Sequence, residues 1–401
     1  MDTQQFIKTE HNVLLGTYTR PPFVIDHGSG PYLYDTDGKK YLDFVSGIAV
    51  NAFGYNDRDA QNALAEQAAR LWHCSNLYYT EPQVRLAEFL VSKTFAEKLF
   101  FCNSGTEAVE AAIKFARKWA AMTKTTDHYR ILSFNRSFHG RTYGGLSATG
   151  QPKFWENFGP MLDGFDFAEF NDMQSVKDNF TDKTCAIIVE PVQGEGGVYP
   201  ADKQFLQDLR AFCDEKKCLL IFDEIQCGFG RTGYFCAHEA YDIVPDIMTA
   251  AKPIAGGLPL GAVLLTDAIA QYIKPGDHGT TFGGGPIVTH VALNILQRIA
   301  EPSFLASIRE NGNYLLDQLT AVQLDFPEIT EVRASGLMFG LQVIGSPADL
   351  IKACAEQGLL ICKTGGNAVR FLPPLNITQA KLDEGIELFR DALVALREEN
   401  G

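Results

Sequence analysis

The sequence lacks a long hydrophobic run, an excess of basic residues and the basic, apolar start of a signal peptide. Because no apolar stretch approaches the roughly 20 residues that span a bilayer, we expect no membrane segment. Lys and Arg number 35 against 49 Asp and Glu, so the net charge is −14. Nucleic-acid phosphates and anionic lipid repel such a chain, and neither is expected as a partner. The residues at the start favour a cytoplasmic location.

Cysteine is present, but without the pattern of a disulfide framework or a zinc centre. Nine is an odd count, and Cys213 and Cys218 have no second pair at ligand spacing. We therefore expect reduced thiols that mostly fill the core, and no bound metal.

The 401 residues, of which 46% are apolar and 21% charged, indicate a globular protein of two domains. Short apolar runs, such as residues 186–189 and 219–222, alternate with segments of helical periodicity, such as residues 107–120 and 205–213. Short apolar strands separated by amphipathic helices are typical of a parallel sheet that is covered on both faces. The sequence therefore predicts an α/β protein.

The two ends of the chain have a different character. Residues 32–35 and 40–44 flank Asp37-Gly38, a pair suited to the positive φ of a tight turn, and predict a hairpin. The last hundred residues predict a long helix, short strands and a final helix capped by Thr378, which together form a smaller α+β unit. We expect an N-terminal segment that packs with this small domain, a large domain, and the small domain itself: residues 1–55, 56–300 and 301–401.

A turn of small residues is the first feature that carries chemistry. Ser104, Gly105 and Thr106 follow an apolar run and precede the helical segment. A strand, such a turn and a helix start bring free amides and two hydroxyls to the place where helices bind phosphate. Taken alone, the same residues are better explained as an ordinary helix cap.

An acid and a lysine follow further along the chain. Asp223 ends the apolar run 219–222, and the carboxyl end of a parallel strand faces the crevice where α/β sheets bind ligands. Lys252, 29 residues later, lies among small apolar residues, where a lysine is costly unless it is solvated, paired or covalently engaged. A phosphate anchor, a partner for a protonated pyridine nitrogen and an amine for an aldehyde are together the parts that hold pyridoxal phosphate.

These features belong to a longer ordered series of motifs. In chain order they are DFVSGIAVN (43–51), SNLYY (75–79), SGTEA (104–108), FHGRT (138–142), EPVQGE (190–195), DEIQ (223–226), Lys252, TTFGG (280–284) and Arg370-Phe371. The series resembles, nearly from end to end, the class III pyridoxal-phosphate aminotransferases of fold type I, and within them the acetylornithine branch. The resemblance implies a large domain, with a mostly parallel sheet between helices, and a smaller α+β domain.

The resemblance also implies the residues of the site. Those implied to hold pyridoxal 5′-phosphate are Ser104, Gly105, Thr106, Phe138, His139, Glu190, Asp223, Gln226, Lys252 and Thr281. Those implied to bind substrate are Tyr18, Arg141, Glu195 and Arg370. Lys252 is the implied catalytic residue, which links to the cofactor and later moves a proton. Thr281 is implied to reach the phosphate of the neighbouring subunit, so that the active form is a homodimer.

Further roles follow from the same resemblance. Phe138 is implied to stack on the cofactor ring, Gln226 to reach its phenolic oxygen, and Asp223 to pair with its pyridine nitrogen. We expect His139 to be a structural hydrogen-bonding group rather than a general base. Glu195 is implied to be the switchable counter-charge of Arg370.

The implied reaction moves the terminal amino group of N2-acetyl-L-ornithine to 2-oxoglutarate, a step of arginine biosynthesis. Ornithine, succinylornithine, succinyldiaminopimelate and 4-aminobutyrate stay open as alternative donors. A decarboxylase or an aminomutase on the same fold would act without an oxo-acid acceptor. A non-catalytic relative is disfavoured, because it is expected to lose Lys252 or Asp223, and both are present.

Overall fold

The computed structural model describes residues 3–400, so that the ends of the predicted first and last segments, residues 1–2 and 401, lie outside the described residues. Within the described range, no helix is both long and apolar enough to cross a bilayer. All nine cysteines are free thiols, and seven of them are buried.

The β-strands are short, as the apolar runs of the sequence predict. In chain order they are β1 (Ile25–Ser29), β2 (Tyr32–Asp35), β3 (Lys40–Asp43), β4 (Lys98–Cys102), β5 (Arg130–Phe134), β6 (Phe165–Ala168), β7 (Thr184–Val189), β8 (Val192–Gln193), β9 (Tyr199–Pro200), β10 (Leu219–Asp223), β11 (Ile247–Ala250), β12 (Gly261–Leu265), β13 (Ile329–Ser335), β14 (Met338–Val343), β15 (Leu359–Leu360), β16 (Cys362–Thr364) and β17 (Ala368–Phe371).

The helices alternate with the strands through the middle of the chain. They are α1 (Thr3–Val13), α2 (Ser46–Ala49), α3 (Arg58–Ala68), α4 (Glu81–Lys93), α5 (Gly105–Thr123), α6 (Tyr143–Ala148), α7 (Met173–Asn179), α8 (Lys203–Lys216), α9 (Asp267–Ala270), α10 (Pro286–Ile299), α11 (Pro302–Asp325), α12 (Pro347–Gln357) and α13 (Gln379–Asn400). Short 3₁₀ turns cover Pro152–Phe154, Ala237–Tyr241 and Lys252–Ala255.

A seven-stranded sheet forms the centre of the molecule, in the order β4-β12-β11-β10-β7-β5-β6. β12 runs antiparallel to both of its neighbours, and the other four neighbouring pairs are parallel. In β10, Leu220 and Phe222 pack into one core, whereas Leu219 and Ile221 pack into the core on the other face. The predicted α/β fold, with a mostly parallel sheet covered on both faces, is confirmed.

Two smaller sheets are built from the ends of the chain. β13, β14, β17 and β16 form an antiparallel sheet in that order, and β1, β2 and β3 form another. The β2–β3 pair is the predicted hairpin, and Gly38 adopts the positive φ of +84° that its turn requires. β15 adds to β3 in parallel, and the Leu372 amide donates to the Phe44 carbonyl over 2.6 Å. The N-terminal strands thus pack on the C-terminal part, while the boundaries of the three expected segments stay predictions.

The two central strands end beside one another. Phe222 pairs with Val189 in the parallel β10–β7 ladder, so the next residues of both strands, Asp223 and Glu190, leave the sheet at the same edge. The start of α5 and the turn after β11 reach the same place, since Gly105 and Lys252 line one cavity with these two acids. Parallel strands bring their carboxyl ends to one edge, which is where ligands bind in such sheets.

Candidate active site

A cavity of about 450 Å³ opens at this edge of the sheet. It brings together side chains from five separate motifs of the sequence. The predicted site residues that line it are Ser104, Gly105, Thr106, Phe138, His139, Arg141, Glu190, Glu195, Asp223, Gln226 and Lys252. The cavity is therefore the place where the predicted groups can act on one molecule.

The turn at the start of α5 is built as a helix N-terminus. Ser104 is in an extended conformation, and its hydroxyl accepts a hydrogen bond from the Glu107 amide over 3.3 Å. The Thr106 hydroxyl pairs with that of Thr142 over 2.8 Å and accepts from the Thr142 amide over 3.2 Å. Gly140 contacts Thr106 so closely that a Cβ there would overlap its side chain. Gly105 and Thr106, the first residues of this 19-residue helix, thus line the cavity, where a helix N-terminus favours an anion.

Asp223 is held in one orientation by three donors. Its Oδ1 accepts from the Ile225 amide and from the Thr249 hydroxyl, each over 3.1 Å, and its Oδ2 lies 2.7 Å from His139 Nδ1. Asp223 and His139 are both buried. His139 Nε2 is also buried and has no hydrogen-bond partner among the described residues. Such a fixed carboxylate suits a cationic ring nitrogen.

Lys252 follows β11 and begins the turn Lys252–Ala255 with a positive φ of +35°, a strained conformation for a lysine. Burial lowers the pKa of its ammonium from the ordinary value, against the opposing charge of Glu195. A neutral amine is a nucleophile and a base, which an ammonium ion is not. Lys252 is therefore prepared for covalent chemistry or for proton transfer in this cavity.

Glu195 and Arg370 form an ion pair beside Lys252, with Arg370 Nη1 2.7 Å from Glu195 Oε1. The same nitrogen donates to the Gly194 carbonyl over 3.0 Å and to Gln226 Oε1 over 2.8 Å. Burial alone would raise the pKa of Glu195, but the charges of Arg370 and Lys252 outweigh it and lower the pKa to about 2. Arg370 is only 1% exposed, so its charge is neutralised inside the protein by Glu195.

Arg141 is a second cation of the cavity and is exposed. Its guanidinium lies 4.1 Å from the centre of the Phe154 ring and 5.5 Å from that of Phe138. Among residues 3–398, no carboxylate forms an ion pair with it. A guanidinium that is positioned by aromatic rings and has no counter-charge is suited to bind a substrate carboxylate.

Three predicted residues do not line the cavity in this single chain. Arg370 contacts two residues that do, Glu195 and Gln226. The other two, Tyr18 and Thr281, lie elsewhere. Tyr18 is 74% exposed and contacts Arg20 through its ring. Thr281 is exposed in the loop before α10, where it lines a separate small recess with Asn76. Their predicted contacts with substrate and phosphate are therefore not made by the chain's own fold, and both roles stay predictions.

Sequence reasoning missed the residues that support the site. Thr249, which donates to Asp223, is a polar residue inside the apolar strand β11. A polar residue within an apolar run is the feature of the sequence that could have identified it. Thr142, which holds the Thr106 hydroxyl, lies next to Arg141 in a motif that was recognised. Val50 and Ile225 line the cavity as apolar side chains; both lie inside recognised motifs, 43–51 and 223–226, but no role was assigned to them.

A buried cluster of Glu224, Cys236 and His238 has the composition of a metal site. The carboxylate of Glu224, however, accepts from the Ala237 amide over 2.6 Å, the His238 amide over 2.8 Å and His238 Nδ1 at 2.9 Å. The Cys236 sulfur accepts from the amide of Glu239. Because these ligand atoms already bind N–H groups, the cluster is a cap of the turn Ala237–Tyr241 rather than a cation site.

The comparisons with known proteins agree with this geometry. The family described as aminotransferase class-III matches residues 16–393. The chain is a class III aminotransferase. Enzymes of this family use pyridoxal 5′-phosphate, and the predictions of family, enzyme class and cofactor are confirmed.

Relatives and solved structures cover nearly the whole chain. A protein of Alnus glutinosa named acetylornithine aminotransferase, mitochondrial, is 47% identical over 399 residues, which are 98% of this chain and 88% of that protein. The structure of the ornithine aminotransferase from Toxoplasma gondii ME49 matches with a TM-score of 0.95 and 30% identity, covering 100% of this chain and 96% of that one. The structure of N-acetylornithine aminotransferase from Stenotrophomonas maltophilia K279a matches with a TM-score of 0.85 and 36% identity, covering 98% of this chain and 100% of that one.

The residues of the cavity fit pyridoxal phosphate. The helix start offers amides to a phosphate, and Gly105 keeps this turn open, because a Cβ there would lie 2.8 Å from the Ile225 side chain. The fixed carboxylate of Asp223 suits a protonated ring nitrogen, and the amine of Lys252 suits an aldehyde. The cavity is thus lined by an anion site, an acid and an amine.

Proposed function

We propose that this aminotransferase moves the terminal amino group of N2-acetyl-L-ornithine to 2-oxoglutarate, and so forms N-acetyl-L-glutamate 5-semialdehyde and L-glutamate. The observation that carries the proposal is the Arg370–Glu195 pair, at 2.7 Å, whose Glu195 lines a cavity that is also lined by the unpaired cation Arg141. The name and the 47% identity of the Alnus glutinosa relative support the choice of donor.

The two substrates make different demands on these cations. Glutamate reacts at the amine next to one of its two carboxylates, so it requires two cations in the cavity. Acetylornithine reacts at its far amine and has its one carboxylate distant from the reacting carbon. Arg141 serves the distant carboxylate of either substrate, and Arg370 serves the near carboxylate of glutamate alone. Glu195 neutralises Arg370 for acetylornithine and moves aside for glutamate.

The cofactor would be held by residues that line the cavity. Ser104, Gly105 and Thr106 would bind its phosphate, and Phe138 would cover its ring. Asp223 would keep its ring nitrogen protonated, and Gln226 would bind its phenolic oxygen. When bound, pyridoxal phosphate accepts the electrons that are released as the substrate loses a proton.

Lys252 would be the group that moves this proton. Its pKa is lowered by burial, so that its Nζ can take the proton from the substrate carbon that bears the reacting amine. Glu195, on the same wall, is held away from this role because it is ion-paired and has a pKa of about 2. In this assignment Lys252 is the base, and Glu195 is the counter-charge of Arg370.

The active form would be a homodimer. Leu77 is 84% exposed and Tyr79 is fully exposed, in a loop that Asn76 fastens to the segment of Thr281 by hydrogen bonds to the carbonyls of Thr280 and Gly283. Large apolar side chains that cluster on a surface favour burial by a partner. Thr281 lies in this same surface, which supports the proposal that it completes the phosphate site of a second copy.

A two-substrate assay tests the function. The holoenzyme is supplied with 2-oxoglutarate and, in turn, acetylornithine, succinylornithine, ornithine or 4-aminobutyrate, and glutamate formation is measured. We expect the largest kcat/KM for acetylornithine. A larger kcat/KM for another donor would reassign the substrate. Product formation without 2-oxoglutarate would instead indicate a decarboxylase or aminomutase.

A cytoplasmic location is also proposed. All nine cysteines are free thiols, seven of them buried, and free thiols are typical of proteins in a reducing compartment.

A further inference from the structure

Two acids end neighbouring strands at the site. Glu190 follows β7 and Asp223 ends β10, and the parallel register that pairs Phe222 with Val189 brings them side by side at the sheet edge. Side chains at matched positions of parallel neighbours point to the same face, with backbones about 4.8 Å apart. Both acids are buried, with exposures of 6% and 3%, and both line the cavity. Two carboxylates that are neighbours in a buried site repel one another, so ionisation of both is disfavoured.

The hydrogen bonds to the two acids are unequal. Asp223 accepts from the Ile225 amide, the Thr249 hydroxyl and His139. Among the described residues, Glu190 accepts from one donor, the Phe138 amide, at 3.0 Å from its Oε2. Donors to the charged form stabilise a carboxylate, so the negative charge of the pair belongs on Asp223.

The other charges around Glu190 do not reverse this order. Glu195 adds a further negative charge, and Lys252 opposes it from the turn after β11. Burial, followed by the charge of Asp223, raises the pKa of Glu190 well above its ordinary value. For Glu195 the charge of Arg370 lowers the pKa to about 2 in spite of burial. The pKa values of two glutamates in one cavity are thus shifted in opposite directions, which is typical of groups with separate tasks.

We propose that Glu190 is kept as a neutral carboxylic acid, which leaves Asp223 as the charged acid of the pair. Glu190 is then a positioning residue: its proton removes a negative charge that would compete with Asp223 for the ring nitrogen. The proposal rests on the proposed role of the cavity but not on which amino donor it accepts.

Infrared difference spectroscopy tests the proposal on the full-length holoenzyme without substrate. Protein labelled with [13C]glutamate separates the glutamate carboxyl bands from those of aspartate. At neutral pH, the wild type minus Glu190→Gln spectrum should show the loss of a protonated carboxylic acid band. The matched control, Glu195→Gln, should show the loss of a carboxylate band from the same cavity. A carboxylate band lost in Glu190→Gln would overturn the proposal.

A second variant keeps the test decisive if Glu190→Gln does not fold. Burial also raises the pKa of Glu239, so Glu239→Gln removes a second glutamate that could contribute an acid band. A protonated glutamate band that persists in Glu239→Gln at neutral pH supports the proposal, and its absence overturns it. Cofactor loading is measured separately by absorbance in the same samples, so failure of the cavity to bind pyridoxal phosphate is distinguished from failure of the Glu190 assignment.

Discussion

Arg370 donates to Glu195 over 2.7 Å although the two residues are 175 positions apart in the chain. Arg370 lies on β17, an inner strand of the four-stranded C-terminal sheet, and Glu195 follows β8. The pair therefore joins the small C-terminal sheet to the cavity at the edge of the central sheet. An arginine this deeply buried is stable only with a partner, and removal of one member leaves an uncompensated charge.

Acid should weaken the fold through this pair. The folded pKa of Glu195, about 2, lies below its ordinary value of 4.5, because the charges of Arg370 and Lys252 outweigh burial. A depressed carboxyl pKa stabilises the fold above pH 4.5 and loses that contribution as the pH falls toward 2. The contribution is about 3 kcal/mol at about 1.36 kcal/mol per pKa unit. Urea unfolding of wild type and Glu195→Gln should show a difference in free energy of unfolding at pH 6 that shrinks by pH 3.

Lys252→Ala should lose turnover because the chain then has no amine at this wall of the cavity. Loss of the proton transfer alone costs about 10²–10⁴-fold in kcat. Reduction with borohydride should fix the cofactor on wild type and on the control Lys363→Ala, whose lysine is exposed on β16, but not on Lys252→Ala. Cofactor fixed on Lys252→Ala, as mass spectrometry would detect, contradicts the assignment.

Asp223→Asn should retain the fold and the cofactor, because the helix start and Lys252 remain. Its half-reaction rate should fall by orders of magnitude, since an amide does not hold the ring nitrogen protonated. Thr249→Val removes one of the donors to Asp223 and should cost about tenfold, which corresponds to about 1.4 kcal/mol. Stopped-flow absorbance measures both rates. A half-reaction in Asp223→Asn that is as fast as in wild type would refute the role.

The sequence predicted those parts of the molecule that depend on local pattern. Apolar runs located β7 and β10, and the acids that follow these runs, Glu190 and Asp223, line the cavity. The antiparallel direction of β12 was not predictable, because an apolar run has the same composition in either direction. Support of Asp223 by Thr249 depends on the position of β11 beside β10, which no local pattern specifies.

Tyr18 and Thr281 mark the limit of such reasoning. Both belong to segments whose side chains are exposed in the single chain, so the fold of one chain gives them no contact with the cavity. The resemblance assigns Thr281 a role across a subunit boundary, so the proposed contact would require a second copy. The role of Thr281 is therefore best tested together with assembly.

Assembly and cofactor affinity should be linked. Tyr79→Asp places a charge in the exposed apolar loop and should shift the protein toward monomers, and Thr281→Ala should weaken cofactor binding without changing the mass. Leu324→Asp is the control, because Leu324 is 82% exposed on α11 and is not part of this loop. Light scattering gives the mass, and absorbance gives the affinity for pyridoxal phosphate as a function of protein concentration. A fully active monomer would show that a single chain completes the site.

The preference between acetylornithine and glutamate should depend on the charge of Glu195. In Glu195→Gln, Arg370 has no counter-charge, so acetylornithine gains nothing at the reacting carbon and should react equally well or more slowly. Glutamate brings a carboxylate to Arg370 and should gain. A charge-assisted hydrogen bond contributes roughly 1.5–3 kcal/mol, so the preference should move by about ten- to a hundred-fold toward glutamate.

The measurement is the ratio of single-turnover rate constants over dissociation constants for acetylornithine and glutamate. Glu331→Gln is the control, since Glu331 also pairs with a buried arginine, Arg333, but does not line the cavity. Its ratio should equal that of wild type, because the loss of an ion pair elsewhere leaves the charge at Arg370 unchanged. If the ratio for Glu195→Gln also stays at the wild-type value, the two substrates are accommodated by some movement other than the exchange of Glu195 for a substrate carboxylate at Arg370.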